Sequence, residues 1–377
     1  MTAEGPLRRN RRSLLAPLAW VAVVIACGER TGARLLEQGA TKDTDWSYSR
    51  LDSGAVAQLS ATLAASVTLG TDSATTPRSV SRVELTRTAI FVLDGDPKAV
   101  RRFDRRGRQE FSRFAGRAPT AELKTPTGIA VVGDTVYVVD MDSRRGTFVI
   151  DPHGSLVPAV PSSARATLMG VAATRGVLAM ASIGSDRAIT GDSARFLSLM
   201  SRGGSHVASV CRPDPEYAAS LARRGLFELY RATGVSALDG RFYCRQPISP
   251  IVQVFDNRGR ELPSIRLAPP FYERGADAPQ SMNQRAMDRF AATWTEHLDF
   301  FPTADGFLSV YARFDAVNAS RRYRFFRCWT SRASAPRCGV GETPSRPVGF
   351  LPPDSLLVID YPQGSAGRTV LQFLRVQ

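Results

Sequence analysis

The chain has 377 residues, 43% apolar and 22% charged, so it can bury a sizeable core and global intrinsic disorder is excluded. That length fits one large domain or two ordinary ones. A net charge of +14 excludes an acidic, solvating protein, and arginine carries nearly all of it, since lysine occurs only at Lys42, Lys98 and Lys124.

At the N-terminus, Arg8, Arg9, Arg11 and Arg12 precede an apolar run from Leu14 to Ala26. A bilayer span needs about 20 such residues, so a run this short behind a basic segment reads as a secretory signal. It ends Val24-Ile25-Ala26-Cys27-Gly28. That ending resembles the lipobox of bacterial lipoproteins: aliphatic, variable and small residues, then cysteine. The resemblance implies cleavage before Cys27 and acylation of its thiol, hence a lipid partner for the chain. Val24 stands where leucine is more frequent. An ordinary signal peptide, with Cys27 a plain member of the apolar run, is the rival reading. Arg11-Arg12-Ser13-Leu14-Leu15 also resembles a twin-arginine export motif. Loss of residues 1–26 takes away four Arg and one Glu and leaves +11. Such a charge suits anionic lipid or polysaccharide, although an arginine-rich genome explains it as well. No arginine block with interleaved aromatics stands out, and no nucleic-acid partner is expected. Residues 27–55 hold little apolar content and read as a tether.

From there the chain repeats. Asp94 closes Ala89-Ile90-Phe91-Val92-Leu93, and Asp140, 46 residues on, closes Thr135-Val136-Tyr137-Val138-Val139. Phe103-Asp104-Arg105-Arg106-Gly107 matches Ile150-Asp151-Pro152-His153-Gly154, and the turn recurs at Phe255-Asp256-Asn257-Arg258-Gly259. A weaker copy ends Ser201-Arg202-Gly203. Each reads as strand, tight turn with Gly, strand. Six units follow, near residues 85–115, 127–160, 169–210, 233–266, 298–340 and 347–377. Four short strands in roughly 45 residues is the period of a propeller blade. The expected fold is therefore all-β: a six-bladed β-propeller over 56–377 behind a signal peptide (1–26) and the tether. The last unit stops at the chain end and needs an N-terminal strand, from Leu59 to Leu69 or from Val80 to Leu85.

The turn Phe103-Asp104-x-x-Gly107, then Ala121 to Ala130, then the Gly133-Asp134-Thr135-Val136-Tyr137-Val138 strand together resemble six-bladed propellers of NHL-like type. The likeness extends to bacterial lipoproteins carrying one such propeller. It implies a fold and brings no catalytic residue. Two stretches break the strand pattern: Pro215 to Tyr230 and Ala278 to Leu298, the latter with Met282, Met287, Phe290, Trp294 and Leu298 on one stripe. Both read as helical insertions in blade connections, capping one rim of the disc.

The mature chain keeps Cys211, Cys244, Cys328 and Cys338, an even set that in an exported protein suggests two disulfides. Cys328 and Cys338 flank a hairpin loop. Cys211 with Cys244 would close a loop of about 34 residues, adding about 3–4 kcal/mol. Zinc does not fit, with no C-x-x-C pair and with His153, His206 and His297 scattered.

No G-x-S-x-G elbow occurs. His297, beside Glu296 in the second helical stretch, reads as an ordinary polar residue near a helix end. Asp94, Asp140 and Asp360 recur at strand ends, and Asp305 and Asp354 in turns; such repetition argues for turn structure, not catalysis. No metal, cofactor or catalytic residue is expected. The reading is a binding or scaffolding protein of the bacterial cell envelope, with an envelope protein or small ligand as partner. The alternative is a metal-dependent hydrolase or lyase with its site at the central channel.

Overall fold

The computed structural model describes residues 56–377, apart from 115–122, 134, 142–146, 152–153, 161–165, 185–194, 215–232, 248, 268, 274–291, 316–319, 331–336 and 362–367, and apart from the side chains of 158–160, 166–168 and 182–184. The signal segment, Cys27, the tether and the first helical stretch, Pro215 to Tyr230, lie outside these residues.

Two N-terminal strands, β1 (Val56–Gln58) and β2 (Ala61–Leu69), precede the repeats. Blade 1 is β3 (Val80–Leu85), β4 (Ala89–Gly95), β5 (Lys98–Asp104) and β6 (Gln109–Phe114). Blade 2 is β7 (Pro126–Val132), β8 (Thr135–Asp140), β9 (Thr147–Ile150) and β10 (Leu156–Val160). Blade 3 is β11 (Ala166–Ala173), β12 (Val177–Gly184), β13 (Leu197–Ser201) and β14 (His206–Val210). Blade 4 is β15 (Gly234–Leu238), β16 (Arg241–Arg245), β17 (Ile251–Asp256) and β18 (Glu261–Arg266). Blade 5 is β19 (Thr295–Thr303), β20 (Gly306–Asp315), β21 (Ser320–Trp329) and β22 (Arg337–Thr343). Blade 6 is β23 (Pro347–Leu351), β24 (Ser355–Asp360) and β25 (Thr369–Val376). The chain is a six-bladed propeller: each blade is an antiparallel meander.

Closure comes from the N-terminus. β2 pairs antiparallel with β25, Ala61 opposite Val376 and Leu69 opposite Thr369, and supplies the fourth strand of blade 6. Of the two segments the sequence offers for that strand, the first is used; Val80–Leu85 is the innermost strand of blade 1. β1 adds a fifth, parallel strand to blade 5, with Val56 opposite Cys338. The N-terminal segment thus stitches two neighbouring blades.

The core lies between blades. Val136 and Val138 of β8 pack against blade 1, with Phe91 and Val100. Tyr137 and Val139, pointing the other way, pack against blade 3, with Val171 and Met180. Leu356 and Val358 of β24 likewise face blade 5, and Leu357 and Ile359 face blade 1. A strand buried on both faces reads as a continuous apolar run, which explains the unbroken Val136 to Val139. Full burial of each such side chain contributes about 1.5–3 kcal/mol.

The second helical expectation is corrected where the structure describes it. Residues 278–291 lie outside the described part, but Thr295 to Leu298 belong to strand β19. His297 and Leu298 point to opposite sides, His297 against Tyr311 at the blade 4 side and Leu298 into the cluster shared with blade 6. The period there is two, not 3.6, and the four-residue spacing of Trp294 and Leu298 is coincidental.

The repeated turn is the same object in four blades. Gly107, Gly154, Gly204 and Gly259 have φ of 84°, 85°, 85° and 83°, and each N–H donates to the carbonyl three residues before. Asp104, Asp151 and Asp256 each accept at Oδ1 from the N–H four residues on, at 2.9, 2.8 and 2.9 Å. In blade 3 the glycine is Gly204, one past the Gly203 that the repeat pattern picks, and Ser201 Oγ stands in for the carboxylate, accepting from the Ser205 N–H at 3.0 Å. The left-handed conformation is open to Gly at little steric cost.

Candidate functional site

The first strand of every blade lines the axis, and several polar side chains there are buried: Arg82 and Glu84 on β3, Ser236 on β15, and Thr295, His297 and Asp299 on β19. On β3, Arg82 Nη2 lies 2.8 Å from Glu84 Oε1, with side-chain exposures of 3% and 4%. At the blade 4–5 junction, Arg245 lies across Gly234, where a Cβ would come within 2.4 Å of its Nε, and donates through Nη1 to the His297 carbonyl at 3.0 Å. His297 N–H donates to the Pro247 carbonyl at 2.6 Å. Its ring stacks on Tyr311, centroids 4.9 Å apart, and Nε2 shares a 2.6 Å hydrogen bond with Ser309 Oγ.

Ser309 and His297 form the kind of pair that a hydrolase uses for nucleophile and base. Both are fully buried, however. Burial first, and then the Arg245 charge, hold the imidazole well below its ordinary pKa, so it is neutral. Ser309 Oγ is also within 3.4 Å of the Asp299 carbonyl. A pair with no solvent face meets no substrate, and its chemistry here is to satisfy a buried ring nitrogen. Next to it, Ser249 Oγ donates to Asp214 Oδ2 at 2.6 Å, and Asp214 N–H donates to Gln246 Oε1 at 2.9 Å, tying the blade 3–4 connection to blade 4.

An open groove lies on blade 5. Strand register sets one row His297–Tyr311–Arg324–Glu342 from the axis outward, and a second row Thr295–Arg313–Arg322 beside it. The blade 4–5 connection covers the first row: Phe271 meets Tyr311 edge to face at 5.4 Å, and Arg324 Cζ stands 5.4 Å from the Phe271 centroid. A cavity of about 360 Å³ is lined by Ala292, Arg313, Phe314, Asp315, Arg322 and Arg324. A second, of about 290 Å³, lies between Phe271, Gln58 and Glu342, with Arg324 as the common wall. The arginines have carboxylate partners: Arg322 with Asp315 at 3.1 Å, Arg324 with Glu342 at 2.8 Å, and Arg313 with Glu273. Guanidinium forks beside an aromatic wall suit a ligand with carboxylate or phosphate groups, which can exchange for those partners.

The cysteines pair as Cys211–Cys244, joining blade 3 to blade 4, and Cys328–Cys338, directly opposite each other on β21 and β22. The strand-end and turn aspartates of the sequence are structural, and Asp305 and Asp354 bond within their own turns. Asp94 accepts from the Ser79 N–H at 2.9 Å and Asp140 from the Thr125 N–H at 3.0 Å, the same 15-residue reach back to the start of the blade. Asp360 accepts from Gln372 at 3.1 Å, Asp305 from Thr303 at 2.7 Å and Asp354 from Ser355 at 3.0 Å. His206 is exposed beside Ser209, and His153 lies outside the described residues. Among the described residues no three His, Cys, Asp or Glu gather to hold a metal ion.

Sequence reasoning missed His297, placing it in a helix, and overlooked Arg321-Arg322-Tyr323-Arg324-Phe325-Phe326-Arg327, an arginine run with interleaved aromatics. Phe325 and Phe326 are fully buried on opposite faces of β21, so they are blade core and offer no stacking platform. Strand alternation was the available signal: it puts Arg322 and Arg324 on the face of Phe326.

No family model matches the chain, and no curated protein matches it in sequence. Among solved structures it is similar to a member of the DUF4221 family from Bacteroides vulgatus ATCC 8482, with TM-score 0.56 and 8% identity over 85% of this chain and 99% of that one. It is also similar to a protein of Bacteroides fragilis NCTC 9343 whose name describes it as exported, with TM-score 0.58 and 8% identity over 93% and 99%. At such identities the likeness is one of fold.

Proposed function

We propose that this chain is an exported, lipid-anchored propeller that binds or scaffolds at the bacterial cell envelope. The observation that carries the reading is the pair of disulfides: every cysteine of the propeller is bonded, as expected of a protein that matures outside a reducing cytosol. The lipobox-like run ending at Cys27 supports the anchor. The name of the B. fragilis protein of similar fold supports export. The sealed state of the Ser309–His297 pair favours binding over hydrolysis, and the blade 5 groove is the place we assign to an acidic ligand or partner segment. The NHL-like type belongs to the same reading and rests on the turn motifs alone.

Mass spectrometry of the native, membrane-extracted protein tests it. The expected product is a first peptide beginning at Cys27 and carrying acyl mass. A mature chain that begins elsewhere without lipid overturns the anchor.

A further inference from the structure

Among the described residues, one face of the disc carries a set of exposed arginines on its turns. Because neighbouring strands are antiparallel, the first-to-second and third-to-fourth turns of each blade lie on one face, and the blade connections on the other. On the turn face Arg106 and Arg108 of blade 1, Arg175 and Arg202 of blade 3, and Arg258 and Arg260 of blade 4 are exposed. Asp134 of the first blade 2 turn lies outside the described residues. Among the described residues the carboxylates in these turns are Asp104, Asp151, Asp239, Asp256, Asp305 and Asp354, of which only Asp239 is exposed. The others are partly covered. Asp104 and Asp256 each spend Oδ1 on two backbone N–H groups of their own turns and pair through Oδ2 with Arg108 and Arg260, at 2.8 and 3.1 Å, so Arg87, Arg106, Arg175, Arg202 and Arg258 carry most of the basic surface. Glu110 and Glu261 stand one or two residues further down the outer strands, at the disc's edge.

The turns are braced against each other. Arg105 Nε donates to the Arg87 carbonyl at 3.3 Å, and Arg202 Nη2 to the Thr174 carbonyl at 3.2 Å. The basic surface is therefore mounted on paired hairpins. On the opposite face the blade 5 arginines are matched, Arg313 by Glu273 and Arg322 by Asp315, while Arg78, Arg212, Arg266 and Arg368 are exposed there, so the test compares the two sets.

The N-terminal strand enters from the basic face. Val56 lies opposite Cys338 at the turn end of β22, and Ser60 exchanges two hydrogen bonds with Gln377, at 2.8 and 3.0 Å, at the turn end of β25. Residues 27–55 precede that point, and even fully extended they reach at most about 100 Å. We propose that this arginine face docks on the anionic phospholipid surface of the membrane that holds the anchor, leaving the blade 5 groove turned outward. The proposal rests on the anchored reading for its geometry; the arginine-bearing turn face stands without it. Arginines held at such a surface contribute additively, about fivefold in partitioning for each.

The test uses the chain 27–377 with Cys27→Ser, which cannot be acylated, so its result is independent of lipidation. Sedimentation is measured with phosphatidylcholine vesicles, with and without phosphatidylglycerol. We expect binding to the anionic vesicles alone, weakened by salt. Combined Arg87→Gln, Arg106→Gln and Arg258→Gln on the turn face should lower it by about a hundredfold. Combined Arg78→Gln and Arg266→Gln, exposed at the connection side, should leave it within about twofold, with unchanged circular dichroism for both sets. Equal loss from both sets, equal binding to both vesicles, or no binding overturns the docking face. Failure here with an acylated Cys27 leaves the anchor intact; success with no acyl group removes the anchor and keeps the face.

Discussion

The Arg101 guanidinium donates through Nε to Asp94 Oδ2 at 3.0 Å, and the two side chains are 1% and 0% exposed. Arg101 lies on β5 and Asp94 at the end of β4, so the pair locks the centre of blade 1. Asp94 Oδ1 meanwhile receives the N–H groups of Arg78 and Ser79, which hold the chain entering β3. Among the described residues, removing the carboxylate takes the only anion from a buried guanidinium that keeps Nη1 bonds to Ala74, Thr75 and Gln109. It also takes the acceptor from three backbone donors, the Asp96 N–H included. Asp94→Ala should therefore cost about 3–5 kcal/mol in chemical denaturation. Asp360→Ala, which loses a partly exposed bond to Gln372, should cost about 1 kcal/mol or less. Equal losses would contradict the burial difference.

His297 carries a pH prediction. Its folded pKa lies well below the ordinary 6.5, because burial and then Arg245 disfavour the charged ring. Above that value neither state holds the proton. Below it the unfolded chain takes up a proton that the native ring refuses, so stability is lost as pH falls from about 6.5. The slope is at most about 1.4 kcal/mol per pH unit. In His297→Gln this component is absent, so the gap in unfolding free energy between variant and parent should narrow between pH 7 and 5. A constant gap would mean that the ring titrates alike in both states.

The two disulfides should differ in worth. Cys211–Cys244 spans 33 residues and joins two blades; Cys328–Cys338 spans 10 within one hairpin. On the chain-entropy account the longer closure stabilises by about 4 kcal/mol and the shorter by about 3. Paired serine substitutions at 211 and 244 should lower the denaturation midpoint more than those at 328 and 338. The reverse order would show that the hairpin bridge holds more than its loop.

Gly107 and Gly240 both have positive φ, 84° and 76°, but different surroundings. A Cβ on Gly107 would meet the Thr68 carbonyl oxygen at 1.9 Å, where β2 passes the blade 1 turn; on Gly240 it would meet nothing within 4 Å. Gly240→Ala should cost about 1–2 kcal/mol, the left-handed penalty alone. Gly107→Ala should cost more and should loosen closure, seen as faster hydrogen exchange across β2 and β25 than in the Gly240 variant. Matching exchange in the two would place the strain elsewhere.

Blade count and boundaries were legible in the sequence because each blade repeats a local object. The turn Asp104 to Gly107 recurs at 151–154 and 256–259, since that hairpin needs a left-handed glycine and a side-chain oxygen cap, which is a carboxylate in blades 1, 2 and 4 and Ser201 in blade 3. Apolar runs such as Val136 to Val139 announced strands buried on two faces. The reach of Asp94 and Asp140 to their blade starts was visible as a repeated position, though not as a bond.

By itself, then, the sequence determined what depends on neighbours along the chain: the repeat, its turns, the even cysteine set and the export-like N-terminus. The tertiary structure decided what depends on contacts across blades. Only packing showed that Thr295 to Leu298 is a strand, because a four-residue apolar spacing fits either period until the opposite faces are filled. Packing alone sealed His297 against Ser309 and chose Ala61–Leu69 to close the ring. The same holds for charge: arginines scattered from 87 to 260 become one face because antiparallel pairing brings their turns to the same side of the disc.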